Sequence, residues 1–266
     1  MAIVTLTSDF GTRDGYVGAM KGVILSRAAD ARVVDIAHDV PACNVASGAY
    51  CLAQAAPFFP AGTIHVAVVD PGVGTGRLAV IAVADDHVFI GPDNGLLTLA
   101  VPEPRAVYAI EDPGFVRESP SATFHGRDIF AAAAGSLAAG AKPEHAGRQV
   151  ALSPLERSNR AQARRSGSFA PVERASERPV AVVVHVDRFG NLITSYPGDR
   201  VPSDVRIQVG PRVIAGLSRT FADVERNEPV AYIGSGGTLE IAVREASAAE
   251  ILGLGVGDVL ALGHGT

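Results

Sequence analysis

The sequence contains no tryptophan, only two cysteines and two methionines among 266 residues, and only 6% aromatic residues. So few aromatic rings argue against a protein that stacks the bases of single-stranded nucleic acid. The net charge of −5 argues against nucleic acid as the main partner, because binding to a phosphate backbone needs a basic surface. The cysteines, Cys43 and Cys51, suit a reducing compartment better than a disulfide framework.

Long uncharged apolar runs are also absent. No stretch approaches the roughly 20 apolar residues that a transmembrane helix requires. Residues 1–9 lack the basic region of a signal peptide and are typical of a first β-strand. With 47% hydrophobic and 19% charged residues, the chain has ample material for a packed core. We therefore expect a folded cytoplasmic protein without membrane contact.

The first half of the chain alternates between strand and helix patterns. Residues 3–7 and 64–69 are apolar, β-branched runs typical of buried strands. Apolar residues at three-to-four spacing predict a helix from about Asp14, and an alanine-rich segment predicts another over residues 128–139. This order implies an α/β domain with a mostly parallel sheet, which we place at residues 1–155.

The composition changes after this domain. Arginines recur among Ser, Ala and Pro near residues 153–178, and we interpret residues 156–178 as an exposed linker, with a basic binding patch as the alternative. Short β segments separated by turn residues follow, without a clear helical period. They predict a small all-β domain, a barrel or a sandwich, over residues 179–266.

The most informative segment is residues 68–77, with the sequence VVDPGVGTGR. Its glycines suggest a nucleotide-binding loop, but a dinucleotide fingerprint needs glycines that open a helix. Here the spacing is G-x-G-x-G and a second strand pattern follows, so the loop joins two strands. Such a loop can hold the carboxylate of Asp70 and the guanidinium of Arg77 in one small space.

Four residues are candidates for chemistry from their positions alone. Asp70 follows a buried strand, where open α/β sheets bind ligands, although an aspartate before Pro-Gly is also an ordinary turn residue. Arg77 is either functional or one half of a structural ion pair. His125 precedes a predicted helix and is either catalytic or structural. Asp9 ends the first strand as Asp70 ends the third, so both can face one crevice.

Other chemistries have little support in the sequence. Histidines and aspartates supply metal-ligand types, but no H-x-x-x-H or H-x-D spacing supports a metal site. Ser8 and Ser235 lack the G-x-S-x-G context of a hydrolase nucleophile. Residues 187–191 (DRFGN) are explained by a β-turn without any function. Local patterns therefore indicate a two-domain protein with a small-molecule site.

Six short motifs together indicate more than each does alone. They are SDFGT (8–12), YVGAMKG (16–22), VDPGVGT (69–75), PDNGLL (92–97), FHGRD (124–128) and DRFGN (187–191). In this order the chain resembles the S-adenosyl-L-methionine (SAM) hydroxide adenosyltransferases, adenosine-forming SAM hydrolases related to the SAM-dependent fluorinase and chlorinase. The resemblance covers essentially the full length. It implies a Rossmann-like N-terminal domain, a small β-barrel C-terminal domain and a homotrimer with substrate sites at subunit interfaces.

The resemblance also implies a reaction and its catalytic residues, Asp70, Arg77 and His125. SAM and water would give adenosine and L-methionine, with no cofactor and no metal. A fixed guanidinium at Arg77 favours the anionic form of a bound water, which attacks the ribose 5′-carbon. Asp70 can position that water, and His125 can accept a proton or complete the hydrogen-bond ring. The residues leave open which group is the base.

Substrate contacts follow from the same resemblance. It implies that Asp9 holds the ribose hydroxyls, that Asp187 faces the methionine ammonium and that Asn191 contacts the adenine edge. Ser235 matches a contact to the methionine carboxylate, and Phe221 matches an aromatic position beside the adenine.

The chain departs from the family pattern at several positions. Cys43 stands where relatives usually have an aromatic residue, and Gly236 stands where the fluorinase has an arginine for the methionine carboxylate. The fluorinase also has a loop insertion and a Tyr-Ser pair in place of His125-Gly126, and this chain has neither. Hydrolysis is therefore our main hypothesis. A SAM-dependent halogenase and a non-catalytic SAM- or adenosine-binding protein are the alternatives.

Overall fold

The computed structural model describes residues 1–84, 86–154, 179–210 and 212–264. The chain divides into two compact units, Met1–Glu156 and Arg157–Thr266. The predicted linker, residues 156–178, lies outside the described residues.

The first unit is built on a six-stranded sheet with the order β2-β1-β3-β5-β4-β6. Its strands are β1 (Ile3–Ser8), β2 (Arg32–Ala37), β3 (Ile64–Val68), β4 (Ala79–Ala84), β5 (His87–Pro92) and β6 (Ala106–Ala109). The four strands β2, β1, β3 and β5 are parallel, whereas β4 is antiparallel to both of its neighbours. The prediction of an α/β unit with a mostly parallel sheet is confirmed.

Helices cover both faces of this sheet. They are α1 (Tyr16–Arg27), α2 (Val45–Ala55) and α3 (Ala131–Ala138), and a π-helical turn (Gly126–Phe130) leads into α3. Met20 of α1 and Ala134 of α3 pack in the core on one face, and Leu52 of α2 packs in the core on the other. The sheet is therefore buried on both sides, which explains the continuous apolar runs in β1 and β3.

Two local predictions for these helices differ from the structure. Helix α1 begins at Tyr16, two residues after the predicted start at about Asp14, and has no side-chain cap. The predicted helix over residues 128–139 is a π-helical turn followed by an α-helix. Asn44 caps α2, because its side chain accepts a hydrogen bond from the Ser47 N–H at 3.0 Å.

The second unit is a seven-stranded antiparallel sheet, nearly closed into a barrel, with the order β10-β9-β13-β7-β8-β12-β11. Its strands are β7 (Val180–Val186), β8 (Leu192–Pro197), β9 (Val205–Val209), β10 (Arg212–Ala215), β11 (Pro229–Ile233), β12 (Thr238–Val243) and β13 (Val259–His264). Alternating apolar residues such as Ile207, Leu239 and Ile241 fill its core. The prediction of a small β-barrel is confirmed.

The second unit also contains a short helix, α4 (Ala248–Leu252), where the sequence predicts strands alone. Ser247 caps it by accepting a hydrogen bond from the Glu250 N–H at 3.2 Å, and Gly253 ends it in the left-handed conformation. These capping residues can be recognised in the sequence, but a helix of five residues is too short to show a helical period. None of the helices in the described ranges has the length and apolar character that a membrane span requires.

Candidate active site

Two carboxylates lie at one edge of the first unit's sheet. Strands β1 and β3 are parallel neighbours with Ser8 opposite Val68, so Asp9 and Asp70 leave the sheet at the same edge. Burial raises the pKa of the Asp9 carboxyl and the negative charge of Asp70 raises it further, against the lowering effect of a hydrogen bond from the Cys43 N–H. The two carboxylates are therefore close enough to interact, as their positions at strand ends predict.

The loop after Asp70 is held by its own backbone and by one threonine hydroxyl. The N–H of Val73 donates to the Asp70 carbonyl at 3.2 Å, and the Thr75 hydroxyl donates to the Gly72 carbonyl at 2.7 Å. Gly74 has a φ of +77°, and a Cβ there would lie 2.8 Å from the Ala122 carbonyl oxygen. A side chain at Gly74 is therefore excluded by conformation and by space. The loop turns back so that Arg77 faces Asp70.

Arg77 and Asp70 form a closely paired ion pair. Arg77 Nε donates to both Asp70 oxygens, at 3.0 and 3.1 Å, and Arg77 Nη2 donates to Asp70 Oδ2. Their side chains are only 10% and 5% exposed. The Arg77 guanidinium carbon also lies 5.3 Å from the centre of the Phe130 ring. The contacts with the carboxylate and with the ring together fix the plane of the guanidinium.

His125 completes this cluster. Arg77 Nη2 lies 2.8 Å from His125 Nδ1. A guanidinium can only donate, so Nδ1 accepts and the ring proton resides on Nε2. Burial lowers the pKa of His125 and the Arg77 charge lowers it further, with Asp70 and Asp128 acting in the opposite direction. His125 is therefore a neutral imidazole that presents an N–H on its far side.

Asp128, the last residue of the FHGRD motif, anchors the segment that carries His125, a role that the sequence patterns do not assign to it. Its buried carboxylate accepts hydrogen bonds from Arg127 Nε at 2.7 Å, from Arg117 Nη1 at 3.0 Å and from the Ser121 N–H at 2.8 Å. Arg127 foremost, helped by these other donors, holds the Asp128 pKa far below its usual range. The Arg-Asp pair directly after His125-Gly126 is the sequence signal that could have indicated this anchoring role of Asp128.

The second unit carries Asp187 and Asn191 in one tight turn. Asp187 Oδ1 accepts from the backbone N–H groups of Phe189 and Asn191, and Asp187 Oδ2 accepts from Asn191 Nδ2 at 2.8 Å. Gly190 is required inside this turn, because its φ is +83° and a Cβ would lie 2.1 Å from Ser247 Oγ. The turn that the DRFGN motif predicts therefore brings these two candidate residues together.

Phe221 begins a short 3-10 helix (Phe221–Asp223), Ser235 lies in a turn of the second unit, and both are exposed. The Phe221 ring meets the Tyr232 ring edge-on, with centres 5.1 Å apart. The Tyr232 hydroxyl donates to Glu240 Oε2 at 2.7 Å. Glu240 is a buried carboxyl that sequence reasoning missed. Burial raises its pKa, and the charge of Asp187 raises it further.

The described residues contain no evident metal centre. Within those ranges, no group of three or more His, Cys, Asp or Glu side chains is arranged to hold a metal ion.

Known proteins resemble the chain in both units. Residues 4–147 match the SAM hydroxide adenosyltransferase N-terminal domain, and residues 181–261 match the C-terminal domain of the same family. An (R)-S-adenosyl-L-methionine hydrolase of Thermus thermophilus is 42% identical, covering 96% of each chain. A fluorinase of Actinopolyspora mzabensis is 30% identical over 93% of this chain and 92% of its own. A solved structure of an uncharacterized conserved protein from Thermotoga maritima has a TM-score of 0.84 and 34% identity, covering 98% of this chain and 99% of that one.

Proposed function

The chain belongs to the SAM hydroxide adenosyltransferase family, and on that premise we propose that it hydrolyses S-adenosyl-L-methionine to adenosine and L-methionine. The observation that carries the proposal is the Asp70–Arg77–His125 cluster, in which one guanidinium contacts both a carboxylate and an imidazole. A buried, fixed positive charge of this kind favours an anionic oxygen nucleophile.

The reaction needs an activated water more than it needs an activated leaving group. Water oxygen forms a bond to the ribose 5′-carbon while the bond from that carbon to sulfur breaks. The sulfur keeps the bonding electron pair and leaves as the neutral thioether of methionine, and the water gives up one proton. The difficult step is to deprotonate water near neutral pH, and the charge of Arg77 lowers its cost.

The hydrogen-bond geometry supports different roles for Asp70 and His125. His125 Nδ1 accepts from Arg77, so the other ring nitrogen, Nε2, donates on the side of the ring that faces away from Arg77. A carboxylate offers about four acceptor positions, and Asp70 uses three contacts with Arg77. We therefore assign Asp70 as the acceptor of the water proton, and we assign His125 to hold the Arg77 guanidinium in place beside that water through Nδ1.

The substrate contacts in the first unit are assigned to Asp9. Its Oδ2 accepts from the Cys43 N–H at 2.8 Å, and a carboxylate retains capacity for further donors. Two ribose hydroxyls would be such donors.

Four residues of the second unit are assigned to the rest of the substrate. Asn191 gives one amide N–H to Asp187 and keeps its amide oxygen for the adenine edge. The Asp187 carboxylate is assigned to the methionine ammonium, and the Ser235 hydroxyl is assigned to the methionine carboxylate. The exposed ring of Phe221 is suited to pack on adenine.

Product analysis tests the function directly. Purified protein is incubated with SAM, and adenosine and methionine are followed by chromatography, with and without a chelator. We expect equal amounts of both products and no effect of the chelator, because the assigned residues need no metal. Failure to form adenosine would overturn the proposal. Activity that the chelator abolishes would overturn its metal-independent form.

Two alternatives give different results in the same assay. A halogenase, which the 30% identical fluorinase makes worth testing, would yield a 5′-halo-5′-deoxyadenosine when fluoride or chloride is added. A SAM- or adenosine-binding protein without activity would show calorimetric binding of SAM and no turnover. We expect neither result.

We also propose a homotrimer. Exposed apolar side chains in the second unit support an interface, since Phe189 is 76% and Val259 is 57% exposed. Light scattering at several protein concentrations tests it, with three times the chain mass expected. A monomer at all concentrations would contradict it.

A cytoplasmic location is proposed from the cysteines. Cys43 and Cys51 are both free thiols, which suits a reducing compartment. Fractionation of the source cells tests this, and recovery outside the cytoplasm would contradict it.

A further inference from the structure

A series of contacting polar side chains lies beside Asp9, and none of these side chains is assigned to the reaction. Ser8 Oγ lies 2.7 Å from His38 Nδ1, and His38 Nε2 lies 3.1 Å from Asp35 Oδ1. Lys21 Nζ donates to the other Asp35 oxygen at 2.6 Å. This series of side chains therefore connects a surface ion pair to Ser8, the last residue of β1.

An irregularity in β2 makes this arrangement possible. The register of β1 against β2 shifts by one residue, because Leu6 pairs with Asp35 whereas Thr7 pairs with Ala37. An extra residue in one strand breaks the regular alternation of side chains. The side chains of Asp35 and His38, three residues apart, therefore lie on the same side of the backbone and contact each other.

The trio of serine, histidine and aspartate is not a hydrolase triad. Ser8 is fully buried and His38 is 5% exposed, so no substrate can reach the hydroxyl. The Ser8 oxygen also accepts a hydrogen bond from the Phe10 N–H at 3.3 Å. A nucleophile needs an exposed oxygen beside its base, and Ser8 does not provide one.

The same two residues hold the backbone immediately after Asp9. Ser8 Oγ holds the N–H of Phe10, and the His38 carbonyl accepts from the N–H of Gly11 at 2.8 Å. His38 Nε2 lies 3.1 Å from Asp35 Oδ1 but lacks hydrogen-bond geometry. The nearby negative charge still favours a proton on Nε2, so Nδ1 accepts from the Ser8 hydroxyl and leaves the Ser8 lone pairs for Phe10. The backbone is therefore fixed at both residues that follow Asp9.

We propose that His38 is a positioning residue for the ribose site: its side chain, acting through Ser8 and beside the contact of its carbonyl with Gly11, fixes the direction in which Asp9 presents its carboxylate. The inference rests on the proposed function, in which Asp9 accepts from the ribose hydroxyls. It assigns selectivity for the ribose to a residue that touches no substrate.

The test compares two nucleosides that differ by one hydroxyl. Adenosine and 2′-deoxyadenosine are titrated calorimetrically into the wild-type protein and into His38→Ala. The wild type should prefer adenosine by about tenfold, as expected for a hydrogen bond to a charged acceptor. His38→Ala should reduce that preference to about twofold, since a displaced carboxylate loses the hydroxyl. A merely structural role would weaken both nucleosides equally and leave the preference unchanged.

A second buried histidine provides a matched control. His65 Nδ1 pairs with the Thr5 hydroxyl at 2.8 Å, also beside β1, but Thr5 lies on the face opposite Ser8. His65→Ala should cost stability, yet it should retain the wild-type preference. Loss of preference in His65→Ala as well would overturn the assignment to His38.

Two further variants guard against a folding defect. Ser8→Ala should lose the preference as His38→Ala does, because it removes the same link. His38→Asn places an amide oxygen near the position of Nδ1 and should restore part of the preference. A full preference in Ser8→Ala, or in a folded His38→Ala, would overturn the inference. A wild type with no preference would overturn it together with the ribose role of Asp9, whereas hydrolysis of SAM by that same protein would leave the proposed function standing.

Discussion

The candidate residues of the first unit and those of the second are held in different ways. Asp70, Arg77 and His125 come from separate segments and meet in one hydrogen-bonded cluster. In the second unit, Asp187 and Asn191 are hydrogen-bonded to each other within one turn, and Phe221 and Ser235 are exposed elsewhere in the unit. The first unit therefore holds its candidate charges in one fixed cluster, whereas the candidate groups of the second are surface groups suited to contact.

This difference leads to different kinetic effects. Loss of a preorganised charge lowers kcat, because the charge acts on the transition state. Loss of a surface contact raises KM and leaves kcat nearly unchanged, because it acts equally on substrate and transition state. Variants of the two units should therefore separate on a plot of kcat against KM.

The largest effect is expected at Arg77. Arg77→Ala should lower kcat for SAM hydrolysis by about a thousandfold, since it removes the positive charge that both partners contact. Arg77→Lys keeps the charge without the planar fork and should recover only a small part of the loss. Steady-state kinetics measure both. A kcat for Arg77→Ala within about threefold of wild type would contradict the role of this cluster.

Substitutions at His125 should reveal which ring nitrogen matters. His125→Asn can keep an acceptor toward Arg77, and we expect kcat to fall by only about tenfold. His125→Gln extends its amide toward the position of Nε2, away from Arg77, and should retain less activity. The reverse order of the two variants would show that His125 acts through Nε2 and not through its contact with Arg77.

Acid should destabilise the first unit through His65. Burial, together with the neighbouring His87, lowers the pKa of His65 to about 4, below its ordinary value of 6.5. Between these two pH values the unfolded chain binds a proton on His65 and the folded chain does not. The free energy of unfolding therefore contains the full contribution of the neutral His65 above pH 6.5, and it decreases as the pH falls toward 4. The loss amounts to about 3 kcal/mol.

The measurement for His65 is the free energy of unfolding across the range from acid to neutral pH. His65→Gln keeps a polar partner for Thr5 and cannot titrate, so its stability should fall less steeply over this range. Parallel curves for variant and wild type would contradict the assignment.

The smallest effect is expected in the second unit. Phe221→Ala should raise KM by about tenfold, the usual cost of losing a ring stacked on a base, and leave kcat unchanged. Phe58 is a matched control, because it is an even more exposed phenylalanine and lies in the first unit without an assigned role. Phe58→Ala should keep the wild-type KM. A lower kcat in Phe221→Ala would remove the distinction between the units.

Local sequence patterns predict contacts between residues that are close together in the sequence. Asp70 and Arg77 are seven residues apart on one turning loop, so their proximity follows from the strand-to-strand setting. The contact of Arg77 with His125 spans 48 residues, and only the resemblance to a family indicates it. The pairing of Ser8 with His38 depends on a shifted register between two strands. It could not be anticipated, because a register shift leaves no periodic signal in a sequence.

Hydrolysis of SAM in water enriched with oxygen-18, followed by mass spectrometry of the adenosine, tests the central claim most directly. If water activated beside Arg77 attacks the ribose 5′-carbon, the label appears in the 5′-hydroxyl of adenosine and methionine carries none. Adenosine without the label, or label in methionine instead, would contradict the account.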